Sequence, residues 1–307
     1  LRQVAIMHTI MVALVGATFK ATPTQMSARA ASLMSASFHP TVLCLDSPGI
    51  AELLERTGDI NVLDQEGMSD DDVIRLLGER PVHGIVLRSA NNCDARMMDA
   101  APQLAVIGRA GIGVDNIDIV AAEERSIGVY NTPLASVASV AEHTLALMLC
   151  AARRVSLASA SLRAGRWDRA CFEGSTLEGK ILGVIGYGPI GEAVARRASA
   201  LGMRVCTLET SLRHDAATAG GDELVSMDNL LSRAHYVSLH VPLTAGTSGL
   251  IGERELAMMQ PHATLVNTAR GELVDEEALL RALDAGEIGA ACLDVFVQEG
   301  APLHETT

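Results

Sequence analysis

Aromatic side chains are scarce in this sequence, and no basic excess or spaced cysteine pattern is present. Aromatics make up 3% of the 307 residues, so the core must consist mainly of Ala, Val, Leu and Ile, as is typical of parallel sheets. The six cysteines show neither C-x-x-C nor metal-ligand spacing, which favours reduced core thiols and no metal site. The net charge of −13 argues against nucleic acid or an acidic membrane as the main partner. An anionic substrate would therefore need a local arginine site.

Acidic residues are absent before Asp46, in a stretch that contains Arg2, Lys20 and Arg29 together with many Ser, Thr and Ala residues. The apolar run at residues 4–16 is too short to span a bilayer comfortably. We expect residues 1–40 to lie outside the fold, either as a targeting segment or as translated upstream sequence, with Met26 or Met34 nearer the true start. The expected location is the cytoplasm, with an organelle matrix or plastid as the alternative if this segment is a targeting signal.

A glycine-rich turn follows the apolar run at residues 181–185 and precedes a helical pattern. Its glycines are Gly186, Gly188 and Gly191, with the spacing G-x-G-x-x-G. Strand, turn and helix together predict a dinucleotide-binding fingerprint. Gly186 would allow the tight turn, and Gly188 the close approach of a pyrophosphate. Gly191 would let the helix pack closely on the strand. An ordinary glycine turn is the alternative.

The helix after this turn begins with Pro189 and Ile190, and its N-terminus would present partial positive charge to phosphates. Pro189 suits a first helical turn but has no N–H, so one phosphate donor is missing. A second strand at residues 204–208 leads to Glu209. An acidic side chain there accepts hydrogen bonds from the adenosine ribose and repels a 2′-phosphate, which favours NAD over NADP. The alternative is a solvated charge at a strand end.

Strands and helices alternate from residue 41 onward and predict an α/β fold with two Rossmann-like domains, each a doubly wound parallel sheet. We place a substrate-binding domain at residues 41–138 and an NAD-binding domain at residues 139–300. Residues 301–307 would begin a return to the first domain. One long helix at residues 137–155 is expected to lead from the first domain into the second.

Two loops that follow strands of the first domain are candidates for substrate contacts, because ligands bind at the carboxyl ends of parallel strands. One loop contains Arg88 and Ser89, and the other, which starts at Arg109, contains Gly111 and Gly113. The glycine amides could bind a carboxylate. Taken alone, each arginine is more often a surface charge.

Six motifs occur in the order found in D-isomer-specific 2-hydroxyacid dehydrogenases, and the chain resembles that family from about residue 42 to residue 300. The motifs are RAGIGVDNID at 109–118, NTP at 131–133, GYGPIG at 186–191, VPLT at 241–244, NTARG at 267–271 and LDVF at 293–296. The resemblance implies a formate/glycerate dehydrogenase-like architecture. It is greatest to the members that oxidise 3-phosphoglycerate to 3-phosphohydroxypyruvate in serine biosynthesis.

The resemblance also implies roles for single residues. Arg270 would hold the substrate carboxylate and polarise its carbonyl, as a guanidinium fork is suited to do. Glu299 would pair with a catalytic histidine and raise its pKa, and Asp294 would hold the nicotinamide carboxamide. Further NAD contacts would come from His240, Pro242, Thr268 and Ala269. Further substrate contacts would come from Arg88, Ser89 and Gly111.

Some positions depart from the family pattern. Gly300 follows the glutamate where the family usually has proline, and Ser136 stands where the phosphoglycerate members often have Asn. The family's His-x-Gly histidine, the acid/base group, is expected beyond Thr307, and His304 is interpreted as a surface residue.

We therefore expect an NAD-dependent oxidoreductase that transfers a hydride between nicotinamide and C2 of a small D-2-hydroxy acid. The resemblance alone implies a homodimer formed through residues 137–155. The alternative enzyme is a glyoxylate/hydroxypyruvate reductase. Two alternatives of another kind are an NAD-binding corepressor and an inactive, truncated homologue. A phosphate held near Arg88 would distinguish the two enzymes, and a peptide groove in the first domain would indicate the corepressor.

Overall fold

A computed structural model describes residues 39–56, 60–208 and 220–298. It divides the chain into two compact units at Ser136 and Val137. The sequence-based boundary lies two residues later. Most of the expected leader, the residues Glu209 and Glu299 and the expected return at residues 301–307 lie outside the described residues.

The first unit is built on a parallel five-stranded sheet. Its strands are β1 (Thr41–Leu45), β2 (Asn61–Gln65), β3 (Gly84–Leu87), β4 (Val106–Arg109) and β5 (Gly128–Asn131). The described helices are α1 (Pro48–Glu55), α2 (Asp70–Glu79), α3 (Ala95–Ala100) and α4 (Ile119–Glu124). The strand order β2-β1-β3-β4-β5 is the flavodoxin type of doubly wound sheet, in which the order reverses between β1 and β3.

Strand β1 shows why this sheet needs helices on both faces. Val42 and Cys44 belong to one buried apolar cluster, and Leu43 and Leu45 belong to another. Because successive strand residues point to opposite faces, the two clusters lie on opposite sides of the sheet. An uninterrupted apolar strand is stable only when both of its faces are covered.

The second unit is built on a parallel six-stranded sheet. Its strands are β6 (Ile181–Ile185), β7 (Arg204–Leu208), β8 (Glu223–Val225), β9 (Tyr236–Leu239), β10 (Thr264–Asn267) and β11 (Ala290–Leu293). Its described helices are α5 (Val137–Ala152), α6 (Val155–Arg163), α7 (Pro189–Ala200), α8 (Met227–Arg233), α9 (Glu253–Met258) and α10 (Glu276–Asp284). The strand order β11-β10-β9-β6-β7-β8 is that of a Rossmann fold, with its reversal between β6 and β9. The expected fold class is confirmed.

Strand β6 is covered on both faces. Leu182 and Val184 pack in the cluster that includes residues of α5 and α7, whereas Ile181 and Ile185 pack with residues of α8, α9 and α10. An ideal Cβ at Gly183 would lie 2.4 Å from Leu230 Cδ2, so a glycine lets α8 approach the strand closely.

The prediction of a single long helix at residues 137–155 is wrong. Helix α5 ends at Ala152, and α6 starts at Val155 with an axis 65° away. Arg154 between them has a φ of +51°, and a left-handed residue cannot continue a right-handed helix. In the described part of the chain no single helix is long and apolar enough to cross a bilayer, and α5 and α6 meet the length and composition criteria only when counted together.

The expectation that all six cysteines are core thiols is only partly correct. Cys44, Cys93 and Cys206 are buried, and burial raises the pKa of the first two to about 12. Cys150 and Cys171 are exposed instead.

Candidate functional site

Neighbouring strands of the second sheet end at the same edge, and the described cofactor candidates follow those ends. Because β6, β9, β10 and β11 are parallel, their carboxyl ends form one edge, which we call the carboxyl edge. The candidates on this edge are Gly186, Gly188, Pro189, Ile190 and Gly191 after β6, His240 and Pro242 after β9, Thr268, Ala269 and Arg270 after β10, and Asp294 after β11. Ligands of open α/β sheets bind at this edge, where the strand order reverses.

Gly186 lies at that reversal, between the ends of β6 and β9. Its φ is +99°, and an ideal Cβ there would lie 2.5 Å from the carbonyl carbon and oxygen of His240. The two strand ends are also joined by a hydrogen bond from the His240 N–H to the Ile185 carbonyl, at 2.7 Å. Only glycine fits this position, because a side chain would meet both a strained backbone and the neighbouring strand.

The other two fingerprint glycines have different surroundings. An ideal Cβ at Gly191 would lie 2.0 Å from the Gly186 carbonyl oxygen, so this glycine brings helix α7 against the turn. An ideal Cβ at Gly188 would meet no atom within 4 Å. Gly188 is the N-cap of α7, with the exposed Pro189 at its first position. Open space beside the N-terminus of a helix fits the phosphates of a dinucleotide.

Tyr187, between these glycines, holds the turn in place. Its side chain is buried, and its hydroxyl donates a hydrogen bond to Asp222 Oδ2. Burial raises the pKa of the Asp222 carboxyl, and the bond from Tyr187 partly offsets this effect. Sequence reasoning missed the pair, because Tyr187 occupies a variable position of the fingerprint and Asp222 belongs to no motif. The contact connects the glycine turn to the start of β8.

The residues after β9 form a compact turn. Thr247 Oγ1 donates to the Pro242 carbonyl at 2.6 Å and accepts the Thr244 N–H at 2.8 Å. The His240 imidazole Nε2 lies 2.9 Å from Ser238 Oγ. Burial lowers the pKa of His240 to about 4, so its ring is neutral at physiological pH. The turn therefore adds no positive charge at the point where a cofactor would pass.

The residues after β10 are fixed by a buried asparagine. Asn267 Nδ2 donates to the Arg270 carbonyl at 2.7 Å, and Asn267 Oδ1 accepts the Ala269 N–H at 3.0 Å. The half-buried Arg270 guanidinium donates through Nη1 to the Ala269 carbonyl at 2.6 Å. An ideal Cβ at Gly271 would lie 2.2 Å from the carbonyl carbon of Phe296. The NTARG and LDVF motifs are therefore adjacent in space, and the glycine permits the contact.

Helix α5 contributes two residues that the sequence analysis did not assign. His143 Nε2 lies 3.1 Å from Asp294 Oδ1, and Thr144 Oγ1 lies 3.0 Å from Thr268 Oγ1. The partners are 151 and 124 residues apart in sequence. Sequence periodicity places Thr144 on the buried face of the helix but does not indicate its partner.

The first unit holds the candidate substrate loops. Arg88 and Ser89 are exposed directly after β3, at the reversal of strand order in that sheet. Asn116 Nδ2 donates to the carbonyls of Arg88 and Asn91, each at 2.7 Å. Sequence reasoning included Asn116 only as part of a motif, whereas the structure shows that it fixes the Arg88 loop.

The amide of Gly111 is already engaged. Its N–H donates to the Arg109 carbonyl at 2.9 Å, so it does not point toward a carboxylate in the way expected from the sequence. An ideal Cβ at Gly111 would lie 1.8 Å from Arg109 Nη1. The largely buried Arg109 side chain thus lies over Gly111, which has no side chain to obstruct it.

Comparison with known proteins agrees with this arrangement. Residues 145–307 match the family model described as D-isomer specific 2-hydroxyacid dehydrogenase, NAD binding domain. D-3-phosphoglycerate dehydrogenase of Methanocaldococcus jannaschii is 45% identical over 249 residues, which cover 81% of this chain and 47% of that protein. The chain thus spans about half the length of the curated relatives it matches.

Two solved structures extend the comparison. The TT0316 protein from Thermus thermophilus is 36% identical with a TM-score of 0.77, and the match covers 86% of this chain and 84% of that one. A glyoxylate reductase from Paecilomyes thermophila is 32% identical with a TM-score of 0.77, and the match covers 85% and 83%. Together with the family model and the glycine turn, these matches establish the family. The chain belongs to the D-isomer-specific 2-hydroxyacid dehydrogenases, and its second unit carries the family's NAD-binding domain.

Proposed function

We propose that this protein oxidises 3-phosphoglycerate to 3-phosphohydroxypyruvate with NAD as the hydride acceptor. The observation that carries the proposal is the carboxyl edge of the second sheet, where the open glycine turn, Arg270 and Asp294 follow β6, β10 and β11. The similarity to D-3-phosphoglycerate dehydrogenases supports the choice of substrate. When bound, NAD supplies the nicotinamide ring that accepts or returns the hydride of C2.

In this proposal Arg270 binds the substrate carboxylate. Its guanidinium stays charged at every physiological pH and offers paired N–H donors that match a planar carboxylate. The Asn267 side chain supports it by fixing the backbone on both sides of Ala269. A local arginine is needed because the chain's net charge of −13 repels an anionic substrate at long range.

Two acidic residues have separate tasks. Asp294 accepts a hydrogen bond from the carboxamide of the nicotinamide. Glu299 holds a histidine in its protonated form, since a nearby negative charge favours the imidazolium. The role of Glu299 rests on the resemblance alone, because this residue lies outside the described part of the chain.

The phosphate of the substrate would be bound in the first unit. Arg88 and Ser89 are exposed at the reversal of that sheet, and Asn116 fixes the backbone of their loop. An arginine with an adjacent hydroxyl provides the donors that a phosphate needs. Substitution of Arg88 therefore tests the substrate directly.

Steady-state NADH oxidation by the full-length protein, with 3-phosphohydroxypyruvate, hydroxypyruvate and glyoxylate in parallel, tests the proposal. We expect the highest kcat/KM for 3-phosphohydroxypyruvate. Arg88→Leu should raise its KM while leaving hydroxypyruvate turnover close to wild type. Turnover of glyoxylate or hydroxypyruvate that matches or exceeds turnover of the phosphorylated substrate would support the second candidate, a glyoxylate/hydroxypyruvate reductase, which the similarity to a glyoxylate reductase favours.

We also propose that the protein forms a homodimer. The resemblance first suggested residues 137–155 as the contact, and exposed apolar side chains near that region support self-association. These are Leu149, Val155, Leu157, Leu162 and Trp167, the last with 79% of its surface exposed. Light scattering should give twice the chain mass, and Leu162→Glu with Trp167→Ser should give a monomer. A wild-type monomer at micromolar concentration would contradict this proposal.

A further inference from the structure

Helix α5 places two consecutive polar side chains against residues of the carboxyl edge. His143 lies against Asp294, after β11, and Thr144 lies against Thr268, after β10. Neither helix residue belongs to a motif that the proposed function uses. Because α5 packs against the sheet through Ala141, it holds both polar residues in place.

The hydrogen-bond direction at Thr144 can be determined. Its side chain is fully buried, and its hydroxyl donates to the Val140 carbonyl at 2.8 Å. A hydroxyl has a single hydrogen, so the contact with Thr268 must use the Thr268 hydrogen instead. Thr268 then offers its oxygen lone pairs to any further partner. Toward any partner other than Thr144, Thr268 can therefore act only as a hydrogen-bond acceptor.

The Asp294 carboxylate is oriented in a similar way. Its Oδ1 faces His143 Nε2, and its backbone N–H donates to the Asn267 carbonyl at 3.0 Å. An ionised carboxylate accepts hydrogen bonds and donates none. With Oδ1 turned to His143, Oδ2 is the oxygen that remains for a ligand.

We propose that His143 and Thr144 are positioning residues that fix Asp294 and Thr268 as a pair of acceptors for a ligand NH₂ group. This inference rests on the proposed function, in which that group is the carboxamide of the nicotinamide. Two acceptors complement the two N–H donors of the amide NH₂ group. They would repel the amide carbonyl oxygen if it lay at the same position. The pair thus selects one orientation of the carboxamide, and with it one face of the ring.

A purely structural role predicts different behaviour. The side chains of His143 and Asp294 are each 48% exposed, and a contact between exposed polar side chains contributes little to stability. The His143 contact is therefore not needed to fold the domain. Its removal should alter ligand binding much more than it alters the melting temperature.

Fluorescence titration with NADH, using matched variants of the chain, tests the proposal. His143→Leu and Thr144→Val remove the polar group, whereas His143→Gln and Thr144→Ser keep a donor or a hydroxyl. We expect the first two variants to raise the Kd for NADH about fivefold to tenfold, the usual effect of one lost hydrogen bond. The Kd values of His143→Gln and Thr144→Ser for NADH should remain within about twofold of the wild-type value.

The reduced 3-acetylpyridine analogue of NAD provides the decisive control, because a methyl group replaces its amide nitrogen. We expect His143→Leu and Thr144→Val to bind this analogue as wild type does. Equal weakening of NADH and the analogue, or wild-type NADH affinity in both variants, would overturn the inference and leave the proposed function standing. Failure of the wild-type protein to bind NADH would overturn both.

Discussion

The Tyr187 hydroxyl donates its hydrogen bond to the carboxylate of Asp222, and so connects the glycine turn to the start of β8. Tyr187→Phe should lower the free energy of unfolding by about 1.5–3 kcal/mol at neutral pH, the usual value for a hydrogen bond to a charged group. Urea denaturation measures this directly. A decrease in the free energy of unfolding below about 0.5 kcal/mol would contradict this, because water would then replace the phenol hydroxyl without loss of stability.

Asp222 provides the matching control and a pH dependence. Burial raises the pKa of its carboxyl above the ordinary value of 3.8, so the folded state binds its proton more tightly than the unfolded state. The contribution of this group to stability therefore falls as the pH rises from 3.8 through the raised pKa. Asp222→Asn should flatten that part of the pH profile. In the Asp222→Asn background, Tyr187→Phe should lower the free energy of unfolding by less than it does in the wild type. Additive losses of unfolding free energy would contradict the pairing.

Gly188 and Gly191 provide a pair of substitutions with opposite outcomes. Gly191→Ala would place a methyl group 2.0 Å from the Gly186 carbonyl oxygen and should destabilise the fold by about 1–3 kcal/mol. Gly188→Ala has open space around its methyl and should change stability by less than about 0.5 kcal/mol. It should nevertheless weaken NADH binding at least tenfold, about 1.4 kcal/mol, since the methyl would occupy the space proposed for the cofactor phosphates. Wild-type NADH affinity in Gly188→Ala would contradict the assignment.

If Arg270 binds the substrate carboxylate as proposed, Arg270→Ala should remove that contact without removing the cofactor. A lost pair of charge-assisted hydrogen bonds predicts a fall in kcat/KM of about 10²-fold or more. Arg270→Lys should recover only part of it, because an ammonium lacks the planar fork. Kinetic assays with the full-length protein, accompanied by NADH titration, check both statements. Loss of NADH binding in Arg270→Ala would mean that the residue serves the cofactor instead.

The residues that follow strands could be predicted from the sequence, because each follows an apolar run and most lie in a motif. Strand β6 occupies the expected residues 181–185, and β7 the expected residues 204–208. Strands β5 and β8 were not expected. Strand β5 has four residues that include a glycine, and β8 has three residues at a sheet edge, so neither shows a clear hydrophobic pattern. The break at Arg154 was missed because no glycine or proline lies between α5 and α6 to indicate it.

The pairings within the site could not be predicted. His143 meets Asp294 and Thr144 meets Thr268 only because α5 packs across the sheet, and periodicity specifies a face but not a partner. The Gly111 amide was assigned to a ligand because glycine-rich loops often expose their N–H groups. Its hydrogen bond to the Arg109 carbonyl depends on a local backbone turn that the motif does not reveal.

His240 predicts an acid limit to stability. Its pKa in the folded state is about 4, below the ordinary 6.5, so the unfolded state takes up the proton first as the pH falls. Stability should therefore decrease from about pH 6.5 down to about pH 4, by at most about 1.4 kcal/mol per pH unit for this one group. His240→Gln should give a shallower slope in urea denaturation at stepped pH. The pKa values of His83 and His235 are lowered as well, so some slope should remain. An unchanged slope in the variant would contradict the assignment.

Calorimetric titration of the chain with NADH and then with NADPH tests the central claim most directly. We predict saturable one-to-one binding of NADH at the glycine turn and much weaker binding of NADPH, since Glu209 would repel its 2′-phosphate. Glu209→Ala should reduce the difference between the NADH and NADPH affinities. Absence of saturable NADH binding by a chain that melts cooperatively would contradict the account.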